Sequence, residues 1–389
     1  MALPHFTIKN RFQKRAETYQ EILSDSVLED ICMSISGEKS YTIYFDETGY
    51  NKGRLATLEY HGSIAYISLS EYQISSRNSF FQSFPSALVK FNQEPNPNKS
   101  IFFYFLAPNG SIETPYFKFM YRLMKTAGTV FLNAEHYLIN SIVAFSSPQD
   151  IILQRDANRL KNKGNASSYI TFNDDGTLQI FGKTYGANKY ETTLLSLALR
   201  QITSAKMELY EIQEKDLKRL PADAREVIIA KGIEVFTSDL RLEKEAFEKN
   251  DSLRSPTYLY NLLEKLGEKK CAFCDCTIPQ IIHGAHIWPV ANIKRRNELS
   301  FEDQLSFALN GDNGIWLCSN HHKLFDINFL VISADGRLKY QAGMQEAHEQ
   351  FLKLVTSKTI IETGFINEGF RGFLEKRNLD LDEDAYIFV

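Results

Sequence analysis

Between residues 41 and 106 the apolar and aromatic residues come in short runs broken by Gly, Asn, Ser and Pro. "YTIYF", "GSIAYISL", "ALVKF" and "IFFYFL" are rich in β-branched and aromatic side chains, which suit a pleated, half-buried surface, and each is predicted as a strand. "APNGS" reads as a turn. The period then changes. In "TPYFKFMYRLMKTAG", Phe117, Met120, Tyr121 and Met124 recur at helical spacing and predict one buried stripe. Thr114 is the expected N-cap, Pro115 the first helical residue and Gly128 the stop, while Lys118, Arg122 and Lys125 occupy another face. A second basic helix is predicted in "PQDIILQRDANRLKNKGN", with Arg155 and Arg159 one turn apart. "TFNDDGTLQIFG" reads as a hairpin turning at Asp175-Gly176. In the helix expected from "GANKYETTLLSLALRQI", Asn188 and Glu191 have capping-box spacing.

From about 205 to 255 the pattern becomes charged and helix-prone, as in "AKMELYEIQEKDLKRLPADAREVIIAKG" and "DLRLEKEAFEKNDS". A boundary in "KNDSLRSP" therefore divides the chain into residues 1–250, ending in a charged helical linker at about 205–250, and residues 251–389. In the second part "IIHGAHIWP" is a predicted strand ending at Pro289, "NGIWLCS" a second strand and "NHHKLFDIN" a short helix, with a long connection over about 291–312. "FLVISADGRLKY" reads as a further hairpin turning at Asp335-Gly336. The fold class expected is α+β: a large N-terminal mixed α/β domain, then a small hairpin–helix module.

Composition narrows the class. With 389 residues, 43% of them hydrophobic, the chain can bury two cores. A formal charge of −4 gives no compositional support for nucleic-acid binding, which needs only a local basic surface. The start "MALPHFTIKNRFQKRAETYQ" lacks a secretory pattern and no run approaches a membrane span, so a cytoplasmic protein without a membrane partner is expected. Cysteines number five, and "CAFCDC" holds three of them, which favours reduced thiols that bind metal over a disulfide framework.

Cys271 and Cys274 form a C-x-x-C pair; Cys318 and His321 form a C-x-x-H pair. Two such knuckles joined by a loop supply the tetrahedral set of a structural zinc, with Cys276 left as a spare thiol. His322 and Asp326 stand four residues apart on one helix face, where they can hold a divalent cation and leave positions open for water and phosphate oxygens. His286, at the end of the first strand, would look across at that cation.

These residues resemble the HNH nuclease family, built on a ββα-metal finger, and most nearly its restriction-endonuclease branch. The likeness rests on Ala285-His286-Ile287, Pro289, Asn313-Gly314, Leu317-Cys318, His321-His322 and Leu324-Phe325-Asp326, and covers about residues 268–345. It implies that His286 is the general base, that Asn313 orients it, and that His322 and Asp326 bind a catalytic Mg²⁺ or Mn²⁺. Many family members carry Asp or His immediately before the base, where this chain has Ala285; either two protein ligands suffice, or His283 or Asp312 assists.

With a nuclease in view, Lys294, Arg295, Arg296 and Lys323 become candidate contacts to double-stranded DNA. So do Lys118, Arg122, Lys125, Arg155 and Arg159, and Lys183, Asn188 and Lys189 around the loop "FGKTYGANKYE". The function implied is a site-specific restriction endonuclease, a homodimer so that both strands are cut, with the N-terminal domain recognising the target. Two alternatives stand beside it. One is a modification-dependent endonuclease, in which "SFFQSFP" and "YFKFMY" are a base pocket rather than core. The other is a non-catalytic, zinc-stabilised DNA-binding defence protein.

Overall fold

Most of the early apolar runs become one six-stranded sheet in the computed structural model, with strand order β2-β1-β3-β4-β5-β6. Its strands are β1 (His5–Lys9), β2 (Thr42–Asp46), β3 (Leu55–Tyr60), β4 (Ser63–Leu69), β5 (Lys99–Tyr104) and β6 (Val130–Phe131). The β1–β3 and β3–β4 pairs are antiparallel; β1–β2, β4–β5 and β5–β6 are parallel. Phe6, Ile8, Leu58 and Ile67 pack with Leu28 and Ile31 of the helix Asp25–Ser36. The structure describes residues 2–9, 23–46, 54–70, 81, 83–106, 114–137, 142–161, 168–184, 186, 188–212, 219–250, 255–379 and 381–389; the turn expected at "APNGS" lies outside them.

One predicted strand is a helix. "ALVKF" belongs to Phe84–Gln93, where Pro85 starts the helix and Phe84, Ala87 and Leu88 are buried at helical spacing. A five-residue apolar run fits either period, and here the longer window decides. The helix Pro115–Thr126 is as expected, with the Thr114 hydroxyl accepting from the Phe117 amide. Its apolar face is broader than one stripe, since Tyr116, Phe119 and Leu123 are buried too.

Two basic residues of the first unit face inward rather than into solvent. Arg155 is 3% exposed and pairs at 3.1 Å with Glu191, which is 1% exposed and also accepts from the Ser168 amide at 3.2 Å. Glu191 is thus engaged in the interior, near the start of the helix Asn188–Ile202. Arg122 donates to Asp150 at 2.8 Å, to the Val143 carbonyl at 3.0 Å and to Gln154, and lies over the Phe145 ring. Lys118 and Lys125 remain exposed. Arg159 falls in the helix Pro148–Lys161, with its side chain outside the described residues.

The charged stretch after 205 also departs from expectation. Met207–Ile212 is strand β9 and Ile233–Ser238 strand β10, joining β7 (Ser168–Phe172) and β8 (Leu178–Lys183) in a sheet ordered β10-β9-β8-β7. Acidic residues survive on a buried strand because neighbours satisfy them. Glu208 accepts from Gln179 and Tyr210, and Glu211 accepts from the Thr237 hydroxyl at 2.8 Å. Among the described residues there, only Ala222–Ala230 and Leu240–Lys249 are helical.

The chain divides into two compact units that interleave in sequence. The first holds residues 1–168, 182–204 and 217–235; the second holds 169–181, 205–216 and 236–389. In the second, β11 (Ile282–His286) pairs antiparallel with β12 (Gly314–Cys318), setting His286 opposite Gly314 and Ile282 opposite Cys318. The finger helix Ser319–Asp326 follows at once. The long connection carries two helices, Val290–Lys294 and Phe301–Leu309. Next come β13 (Leu330–Ile332) and β14 (Leu338–Gln341), the expected hairpin, extended by β15 (Tyr386–Phe388). No helix among the described residues is long and apolar enough to cross a membrane.

Removing one member of a buried ion pair strands the other charge, so Arg155→Ala should cost about 3 kcal/mol in denaturant unfolding. An unchanged stability with weakened DNA binding would instead mark Arg155 as a phosphate contact.

Candidate functional site

Four ligand atoms meet at the base of the finger. One each from Cys271, Cys274, Cys318 and His321 lie within 4.8 Å of one another. His321 Nδ1 stands 3.4 Å from the Cys271 sulfur and 3.2 Å from the Cys318 sulfur, and the Cys274 and Cys318 sulfurs are 4.0 Å apart. A tetrahedron with Zn–S bonds of about 2.3 Å sets its corners about 3.8 Å apart, so the donors fit zinc. Two further observations point the same way. His321 Nε2 lies 3.2 Å from the Thr356 hydroxyl, which can accept an Nε2 proton and so suits a lone pair on Nδ1 facing the sulfurs. The clustered thiols also shift one another's proton affinity: Cys318 holds the Cys271 thiol below its usual range, and Cys271 pushes Cys318 up to about 11. A divalent cation would take the place of the thiol protons. Cys276 is outside the cluster, as expected of a spare thiol.

His286 sits at the far end of β11. Its Nε2 is 2.9 Å from the Ala308 carbonyl, which can only accept, so Nε2 carries the proton and Nδ1 the lone pair. Burial first, and the neighbouring charge of His322 second, push its pKa down to about 4 against the opposing pull of the Ala308 carbonyl. The imidazole is therefore neutral at pH 7, the form a general base requires.

Asn313 is fully buried and braces the segments on either side of that imidazole. Its Oδ1 accepts from the Trp288 amide at 2.7 Å, and its Nδ2 donates to the Trp288 and Phe307 carbonyls, both at 3.1 Å. The first contact fixes the chain just beyond His286; the last fixes the residue before Ala308, whose carbonyl anchors the ring.

On the finger helix His322 Nε2 and an Asp326 oxygen are 3.5 Å apart, with the carboxylate half exposed. A hard divalent cation suits that donor pair. The methyl of Ala285 is buried in the core, so position 285 supplies no ligand. Of the two possible substitutes, Asp312 is already engaged: Lys265 lies 2.5 Å from it and Asn367 donates at 2.9 Å. His283 is nearer the pair, its ring centroid 5.8 Å from that of His322, with Asp174 at 3.7 Å and Ser319 at 3.2 Å.

The basic residues of the finger divide. Arg295 and Lys323 are exposed, whereas Arg296 lies 3.9 Å from Glu298 and Lys294 donates to the Asn250 carbonyl at 2.8 Å. In the first unit Lys183, Asn188 and Lys189 are all partly exposed. The aromatic residues Phe81, Phe84, Tyr116, Phe117, Phe119 and Tyr121 are core, which answers for the described part of the segments read as a base pocket or core.

Sequence reasoning missed two side chains that hold the site. Tyr258 stacks on His286, with ring centroids 4.0 Å apart and planes 8° from parallel. Arg377 donates to the Ile287 carbonyl at 3.0 Å and to the Phe325 carbonyl, and its guanidinium lies 3.7 Å from the centre of the Phe325 ring. It therefore ties the residue after His286 to the residue before Asp326. The available signal was the glycines at 284 and 314, which mark a close approach by another element. A Cβ on either would collide with Leu262 of the helix Pro256–Leu266.

Elemental analysis of the purified protein should find zinc in the cluster, and Cys271→Ser should lose it together with the melting transition of the finger. A stable, zinc-free Cys271→Ser protein would contradict the assignment. In a ¹⁵N-histidine NMR titration His286 should stay neutral, protonated on Nε2, down to about pH 4; a midpoint near 6.5, the ordinary imidazole value, would contradict its burial. The same shift fixes a sign for stability. The unfolded chain binds this proton more readily than the folded one between pH 6.5 and about 4, so the contribution of His286 is complete above pH 6.5 and is lost as pH falls through that window.

Comparison with known proteins agrees with this geometry. Residues 271–333 match the family model described as HNH endonuclease. No curated protein matches the chain. The stretch from Cys271 to the strand after the finger helix, residues 271–333, is thus similar to an HNH endonuclease domain and forms one part of a longer chain.

Proposed function

We propose that the protein is a restriction endonuclease that hydrolyses phosphodiester bonds of double-stranded DNA at a specific site. The observation that carries this reading is the state of His286: neutral, with Nε2–H held by the Ala308 carbonyl and Nδ1 unprotonated, at the end of the strand on which the helix bearing His322 and Asp326 packs. In this scheme Nδ1 takes the proton of the attacking water while the Ala308 carbonyl holds Nε2–H. Asn313 keeps both ends of that arrangement in register. His322 and Asp326 would hold a Mg²⁺ or Mn²⁺ ion, which when bound supplies Lewis-acid stabilisation of phosphate charge. Arg295 and Lys323, exposed beside the finger, are assigned to the DNA backbone, with Lys294 and Arg296 supporting them.

Such a finger engages backbone more than base edges, so target recognition falls to the rest of the chain. Lys118, Lys125, Lys183, Asn188, Lys189 and Arg159 are its candidate contacts; Arg155 and Arg122 are assigned to structure, because their guanidinium groups are engaged within the fold. Symmetric cutting needs two such sites, hence a homodimer on DNA. A cytoplasmic location belongs to the same reading.

Incubation of the purified protein with a plasmid library and Mg²⁺, then Mn²⁺, followed by sequencing of the ends, should return ends that share one sequence. His286→Ala should lower cutting by at least about 100-fold, with zinc content and DNA binding retained. DNA that is bound and left uncut with both cations would overturn the catalytic reading in favour of a zinc-stabilised DNA-binding protein. Cutting confined to modified plasmid would select the modification-dependent form.

A further inference from the structure

We propose that Tyr258, which lies outside the matched segment, is a positioning residue for His286: its ring is the surface that fixes the plane of the imidazole, and its hydroxyl ties that surface to both strands of the finger. The proposal rests on the nuclease reading for its kinetic consequence alone.

The placement begins locally. Ser255 caps the helix Pro256–Leu266, its hydroxyl accepting from the Tyr258 amide at 3.0 Å, and Pro256 begins the helix, so Tyr258 is held in the first turn. The side chain is fully buried against β11 and β12. Its hydroxyl is 3.2 Å from the Ala285 carbonyl on β11 and 3.5 Å from the Asn313 carbonyl at the start of β12. That Asn313 carbonyl also accepts from the Ile287 amide at 3.0 Å, so the phenol joins the bond that closes the strand pair beside His286. Both strands give up a side chain to admit the ring. A Cβ on Gly284 would stand 3.3 Å from Tyr258 Cε1, and one on Gly314 only 2.6 Å from its hydroxyl oxygen.

A single hydrogen bond from Nε2 to the Ala308 carbonyl leaves the imidazole free to tilt about that bond and, if the bond breaks, to flip. Stacking at 4.0 Å and 8° removes the tilt. It also covers one face of the ring and keeps water from it, which disfavours the imidazolium. The groups that face His286 are the Tyr258 phenol, which burial holds in its neutral form, the Ala308 carbonyl, and His322 from the finger helix. With the plane held by Tyr258 and Nε2–H held by the Ala308 carbonyl, Nδ1 is the nitrogen left to face the side where water is to be activated.

The test compares Tyr258→Leu and Tyr258→Phe in the full-length, zinc-loaded protein, by ¹⁵N-histidine NMR and by cleavage kinetics with Mg²⁺. In Tyr258→Leu the His286 midpoint should rise toward the ordinary imidazole value and the second tautomer should appear. There kcat should fall about 10-fold or more, with KM for DNA and zinc content unchanged. Tyr258→Phe keeps the ring, so it should restore the wild-type tautomer and most of kcat. If Tyr258→Leu fails to retain zinc, Tyr258→Met, which fills similar volume without a ring, carries the same expectation. A ring-deleted variant that holds zinc and leaves the tautomer and midpoint of His286 unmoved overturns the proposal. Should the wild-type protein not cut DNA, the nuclease reading fails by itself, and the NMR comparison still decides whether Tyr258 sets the imidazole.

Discussion

The site depends on one constraint, the convergence of Cys271, Cys274, Cys318 and His321 on a single point. Cys318 ends β12 and His321 lies in the first turn of the helix that follows, so a cation bound there fixes how the strand turns into the helix. Neighbouring residues on a helix diverge by about 100°. With His321 locked inward, His322 must point along a different face, where its Nε2 lies 3.5 Å from Asp326. A metal bound at the cluster would thereby set the direction of His322, the residue proposed to hold a second cation, through a single peptide bond.

The matched segment does not hold itself in shape alone. Tyr258 from the preceding helix stacks on His286 of β11, and Arg377 from the helix Glu368–Asn378 holds the carbonyl of Ile287 just beyond it. Burial pushes the Arg377 guanidinium down to about 10, still cationic at neutral pH, and its charge is spent on the Ile287 and Phe325 carbonyls and on Asn328. These carbonyls flank His286 and Asp326 in sequence, so one side chain gauges the distance between the strand bearing His286 and the helix bearing His322 and Asp326. The functional module therefore extends on both sides of the residues that carry the family pattern.

Much of the site was legible in the chain because the chemistry allows few residue types at few spacings. Two knuckles ending in Cys271, Cys274, Cys318 and His321, and a His–Asp pair one turn apart, have few other readings. Arg155 shows the limit. Its spacing from Arg159 is that of a solvated basic face, yet its partner Glu191 arrives from another helix and draws it inside. Sequence spacing fixes the face of a helix, but not which face is covered. β9 failed for a related reason: Glu208 and Glu211 look like helix surface until the cross-strand partners that satisfy them are in place. Tyr258 and Arg377 were hidden because each acts on a backbone carbonyl or a ring far along the chain, and such contacts leave no spacing to read. Only Gly284 and Gly314 carried a trace of them.

The most direct measurement is anomalous diffraction from crystals of the protein grown with a DNA duplex and Mn²⁺. A zinc-edge peak is expected among Cys271, Cys274, Cys318 and His321, and a separate manganese-edge peak against His322 and Asp326, on the side to which His286 presents Nδ1. A manganese peak elsewhere, or an imidazole at 286 turned so that Nδ1 faces away from it, would rule out His286 as the base of this site.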